Sequence, residues 1–160
     1  ECEFRTQVET VIATGLKPTH LDSHCHIHIR RKDIFEMTSS LSKEYGIALR
    51  VGSREFIDSL RKQGFPTDDH STLDSYRLET RDKPVLYPKL LRELPPGLSE
   101  WAIHPGIGDE ELKSIMPDWE VRQADFDFFT SKEAREIVEE ENINIISYRP
   151  LLDAWERIRY

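Results

Sequence analysis

The segment THLDSHCHIHI, residues 19–29, alternates residue by residue between polar or titratable side chains and mostly apolar ones. A period of two is the pattern of an extended strand with two unlike faces. Laid out that way, His20, Asp22, His24, His26 and His28 share one face, and Leu21, Cys25, Ile27 and Ile29 share the other with Ser23. Four of the six histidines of the chain fall within nine positions, 20–28, beside an aspartate. Imidazole plus carboxylate is the ligand set of zinc and other divalent first-row metals. The competing reading is a solvated polar face on an edge strand, whose histidines bind nothing. Geometry limits the metal reading, because strand residues two apart are separated by about 6.5–7 Å at Cα. One or two of these side chains would bind an ion and the others would support it.

The surrounding pattern predicts repeated strand and helix units. Phe4, Val8, Val11 and Ile12 have helical spacing over residues 1–14, and Gly15 stops that helix. Residues 31–45 predict a helix through Ile34, Phe35, Met37, Leu41 and Tyr45, closed by Gly46 and followed by a short strand over 47–51. Residues 52–96 mix a short amphipathic stretch with Gly64, Pro66, Pro84 and Pro88, and read as a loop-rich excursion that holds Arg54, Asp74, Tyr76 and Arg77. Trp101, Ala102 and Ile103 form a brief apolar strand that ends at His104-Pro105-Gly106. A histidine there faces the catalytic rim of an α/β fold, or else caps a turn. Thr130-Ser131-Lys132-Glu133 has the form of a capping box, ahead of a helix through Ala134, Ile137 and Val138 that ends at Asn142; a last strand is expected over 143–148. The fold expected is a single α/β domain over 1–160 with parallel strands, in an open sheet or a barrel.

Two further acidic groups read as ordinary surface. Asp68, Asp69 and His70 stand in a polar loop, and Glu139, Glu140 and Glu141 extend a solvated helix face. The formal charge of -8 and a pI near 5.3 exclude a nucleic-acid backbone as the natural ligand and favour a neutral or cationic small substrate. Cys2 and Cys25 are too few for a disulfide framework, which points to a reducing, cytoplasmic setting. No apolar run reaches the ~20 residues a membrane span requires. The chain begins without methionine, and the expectation is that a segment upstream has been removed.

GLKPTHLDSHCHIH, residues 15–28, resembles the G-x-x-P-T-H-x-D-S-H-x-H-x-H signature of the YdjC/ChbG carbohydrate deacetylases. EYGIALR at 44–50, HPG at 104–106 and ISYR at 146–149 follow in the family's order. The resemblance implies a hydrolase that removes the N-acetyl group from an amino sugar or chitooligosaccharide, using one divalent metal, magnesium or zinc. It also implies a β/α-barrel-like fold of the glycoside hydrolase and deacetylase type, incomplete in this chain. Carried over by motif, His24 is a metal ligand and His104 a general acid, while Asp22, His26 and His28 occupy signature positions in supporting roles.

This sequence departs from the family pattern in one respect: the opening N-A-D-D-F-G segment and the G-x-H histidine that supply the other ligands and the base are absent from it. The isolated chain is therefore expected to be inactive or nearly so. Missing strands also leave edges and apolar surface to cover, so a homo-oligomer or a complementary N-terminal segment is the expected partner beside the small carbohydrate substrate. The alternative is a non-catalytic sugar-binding or interaction module derived from the same fold. Taken from the residues alone, a metal-dependent phosphoesterase or amidohydrolase uses histidines and aspartates at strand ends equally well.

Overall fold

The sequence builds two separate apolar cores. In the computed structural model, which describes residues 2–159, they belong to two units, residues 1–71 with 146–160 and residues 72–145. Each unit has its own cluster of buried side chains.

In the first unit, helix α1 (Cys2–Ala13) stops before Gly15, whose φ of 86° lies in the left-handed region that glycine enters without strain. Strand β1 (His20–Leu21) pairs in parallel with β2 (Ala48–Leu49), with His20 opposite Ala48 and Leu21 opposite Leu49. A short helix α2 (Ile27–Arg30) and the longer α3 (Lys32–Tyr45) connect them. Gly46, at φ 67°, ends α3 and donates its amide to the Ser42 carbonyl. Helix α4 (Arg54–Lys62) then buries Ile57 and Leu60 against Phe35, Leu49, Val51, Phe65 and Trp155. Trp155 comes from α9 (Arg149–Arg159), which the sequence reading did not anticipate, and meets the Phe65 ring at 4.7 Å. Pro150 lies in the first turn of α9, where a missing amide hydrogen removes no helical bond.

The expected strand over 19–29 is cut short after Leu21. Residues 24–26 form a 3-10 turn, with Cys25 at φ 52° and His26 at φ 55°, and α2 follows. The Ser23 hydroxyl contacts the His28 ring. In a strand those two residues would lie about 17 Å apart, so this contact and an extended chain exclude each other.

In the second unit, β3 (Leu73–Asp74) pairs in parallel with β4 (Trp101–Ala102). The turns at Ser75–Arg77 and Thr80–Asp82 lead into α5 (Lys83–Arg92). Helices α6 (Glu110–Ile115), α7 (Trp119–Phe129) and α8 (Lys132–Glu140) follow β4. Tyr87, Leu91, Phe128, Ala134 and Ile137 form the core. Residues 52–96, read as loop-rich, thus contain both α4 and α5. Pro84 is tolerated because it sits in the first turn of α5. The cap of α8 is Ser131, whose hydroxyl accepts from the Ala134 amide at 3.0 Å, one residue later than the Thr130 of the expected box. The last strand over 143–148 does not form: these residues are irregular, and Ile145 is 81% exposed.

The architecture is mixed α/β with parallel strands, as expected. Replacing Ile57, which is fully buried, by alanine should lower stability by about 2–5 kcal/mol, because the cavity adds to the lost transfer energy. Urea titration checks this, and a loss below about 1 kcal/mol would show that the site collapses freely.

Candidate functional site

In the first unit, the turn after β1 gathers most of the signature residues. His20 stacks on Tyr148 with ring centroids 3.9 Å apart and planes 12° from parallel, and its Nδ1 lies 3.1 Å from the Thr19 hydroxyl. Asp22 receives the Ser23 amide at 2.7 Å and pairs with the Arg50 guanidinium at 2.9 Å. His24 and His26 are exposed. His20, Asp22, Ser23 and His24 border a hollow of about 510 Å³ whose remaining wall includes Val8 and Leu41.

His28 is different in kind. It is 1% exposed, and its Nε2 lies 2.6 Å from the Arg50 carbonyl, an atom that can only accept. Nε2 therefore carries the hydrogen, and Nδ1 accepts from the Ser23 hydroxyl. Burial lowers its pKa and outweighs the Arg50 carbonyl and Asp22, which act in the opposite direction. Both nitrogens of a neutral ring are thus committed to holding the turn, with none left for an ion.

The resemblance implies one divalent ion. With His28 occupied and Asp22 paired to Arg50, no group of three or more His, Cys, Asp or Glu side chains converges among the described residues. An open catalytic site uses about three protein ligands. The donors gathered by this chain do not by themselves fit such a site.

The second unit places a histidine under tight control. His104 lies two residues beyond β4, and its backbone amide donates to Asp125 Oδ2 at 2.8 Å. Its Nδ1 is 3.2 Å from the Ser75 hydroxyl, and the Tyr76 ring meets it edge-on at 4.5 Å. Burial and a hydrogen bond to Asp118 raise the pKa of Tyr76, so its hydroxyl stays protonated. The loop after His104 is clamped to α7. Gly106 donates to the Arg122 carbonyl at 3.1 Å, and Gly108 donates to the Gln123 side chain at 2.5 Å. A Cβ at Gly108 would stand 2.6 Å from the Trp119 ring, so only glycine lets the loop lie this close.

Asp125 organises this region. It is fully buried, takes the Lys83 ammonium at 2.9 Å, and accepts from the Tyr87 hydroxyl. Burial alone would raise its pKa, but hydrogen bonds from Ser75, Tyr87, the His104 amide and Lys83 more than offset this and hold the carboxyl below the ordinary range. Burial and the same carboxylate push the Tyr87 phenol far up. Ser75, Lys83, Tyr87 and Asp125 escaped the sequence reading. Their signals were Lys83 and Tyr87 four apart on one helix face, and an aspartate set among the aromatics of DFDFF. The acidic groups read as surface are paired with arginines: Asp69 with Arg61, and Glu140 with Arg92.

Residues 1–140 match the family described as YdjC-like protein. A carbohydrate deacetylase of Clostridium beijerinckii is 28% identical over 93% of this chain and 60% of its own length. One from Enterococcus faecalis is 27% identical over 93% of this chain and 58% of its own. A solved Enterococcus faecalis structure, named for cellobiose-phosphate cleavage, superposes with a TM-score of 0.67 at 27% identity over 91% of this chain and 57% of that one. This chain therefore spans about 60% of the length of these relatives.

Removing Lys83 while leaving Asp125 strands a buried charge, so Lys83→Met should lower stability by about 3–5 kcal/mol in denaturant titration. Because the folded pKa of Asp125 is depressed, its contribution is full above the unfolded carboxylate pKa and is lost as pH falls through the folded value. Below about pH 4, the stability of Asp125→Asn should therefore vary less with pH than that of the wild type.

Proposed function

This chain belongs to the YdjC-like protein family, and from that footing we propose that it forms part of a carbohydrate deacetylase that hydrolyses the N-acetyl amide of an amino sugar or chitooligosaccharide. The observation that supports this most is His104, an imidazole held at its amide, at Nδ1 and at one ring edge. Such a ring is pre-oriented to move one proton. In this reading water gives one proton to a carboxylate of a region like the family's N-A-D-D-F-G segment as its oxygen bonds to the acetyl carbon, the C–N bond breaks, and its electron pair stays on nitrogen. His104 delivers a proton to that nitrogen, and the free amine and acetate leave.

His24, exposed at the rim of the hollow, is the side chain proposed to contribute to a divalent ion, magnesium or zinc, with Asp22, His26 and His28 shaping the turn that carries it. The remaining donors would come from a region like the N-A-D-D-F-G and G-x-H segments of the family. That region would complete a β/α-barrel-like fold and cover the apolar side chains exposed on and beside α1, Val11, Ile12 and Leu16. Without it, a second copy of the chain would be the cover. No helix among the described residues is long and apolar enough to cross a membrane.

Two measurements test this. Light scattering coupled to size exclusion should find the chain alone associated, or bound one to one by a co-expressed N-terminal segment; a clean, stable monomer that ignores the segment defeats the partner proposal. The complex should release acetate from N-acetylated chitooligosaccharides, and His104→Gln should lower kcat by about 10²–10⁴-fold. Sugar binding without acetate release would favour a non-catalytic binding module instead.

A further inference from the structure

Ser75 is fully buried at the start of the turn that follows β3. The Asp74 carboxylate caps that turn by accepting the Tyr76 amide at 3.0 Å, which fixes the direction of the Ser75 side chain. Its hydroxyl faces three partners, the Asp125 carboxylate, the Tyr87 phenol and His104 Nδ1, and because Tyr87 gives its own hydrogen to Asp125 its oxygen can only accept. A hydroxyl has one hydrogen and two lone pairs, and an ionised carboxylate can only accept. Asp125 also receives the Lys83 ammonium, the Tyr87 hydroxyl and the His104 amide, so it is held as a carboxylate from several sides.

We propose that Ser75 is a positioning residue for His104: its hydroxyl gives its hydrogen to Asp125 and offers a lone pair to Nδ1, so that the neutral imidazole carries its hydrogen on Nδ1 and leaves Nε2 to exchange protons. The inference rests on the proposed general-acid role of His104 and assigns the nitrogen that performs it. In the protonated ring both nitrogens carry hydrogen. Donation from Nε2 to the leaving amine breaks the Nε2–H bond and forms an N–H bond on the sugar nitrogen. The ring then relaxes into the tautomer Ser75 already accepts, with no rotation and no stranded donor. A ring with its hydrogen on Nε2 would instead point a bare Nδ1 at a hydroxyl whose hydrogen is already given to Asp125. Lys83 and Tyr87 act one step further out, since they keep Asp125 ionised and in place.

The test uses nitrogen-15 correlation spectra of the ring, recorded on the chain as it exists with the imidazole neutral. A pyrrole-like Nδ1 and a pyridine-like Nε2 are expected in the wild type. Ser75→Ala should shift the ring toward the Nε2–H form that free histidine favours, and Ser75→Thr should restore the original pattern. A wild-type ring already in the Nε2–H form overturns the proposal, and this reading needs no variant to fold. An unchanged tautomer in folded Ser75→Ala does so equally. In the assembled enzyme Ser75→Ala should lower kcat by about 10–100-fold with little change in KM, the range seen when a group supporting a catalytic residue is lost. Absence of acetate release together with an Nδ1–H tautomer would refute the deacetylase reading while leaving the role of Ser75 standing.

Discussion

The buried carboxylate of Asp125 is the constraint around which the second unit is arranged. Taking a charge out of water costs several kcal/mol unless its lone pairs are met. Here a lysine and a tyrosine from α5, a serine following β3 and a backbone amide following β4 all converge on it. Each of those elements is thereby tied to α7. The geometry of His104 follows, because its amide is one of the four donors and its ring nitrogen meets another.

The first unit solves a similar problem with a neutral group. His28 is buried between the Ser23 hydroxyl and the Arg50 carbonyl, so the ring joins the turn after β1 to the chain leaving β2. That brace explains why two successive residues, Cys25 and His26, hold left-handed conformations that cost non-glycine residues roughly 1–2 kcal/mol each. The same turn leaves His24 at the surface. A histidine-rich motif therefore divides its members between a buried brace and an exposed rim, and sequence spacing does not reveal the division.

Much of the framework was legible. The helices over 2–13 and 32–45, the two glycines that end them, and the parallel β1–α3–β2 unit follow from apolar periodicity and cap chemistry, which act locally. The strand over 19–29 and the last strand over 143–148 were misjudged for one reason. Alternation or an apolar run signals a strand only if a neighbouring strand takes up its hydrogen bonds, and that partner is a tertiary matter. The helix through Trp155 was not anticipated, although Leu151, Leu152 and Trp155 already carry helical spacing.

By itself the sequence determined the α/β character, the family signature and the candidacy of His24 and His104, since each depends on the order and chemistry of neighbouring residues. Only the tertiary structure decided that His28 is a brace and that Ser75, Lys83, Tyr87 and Asp125 form one buried network. The contacts of Tyr87 and Lys83 with Asp125 span 38 and 42 positions along the chain. Interactions over such separations are selected by burial and by the need to satisfy every polar group removed from water, and no local pattern encodes them.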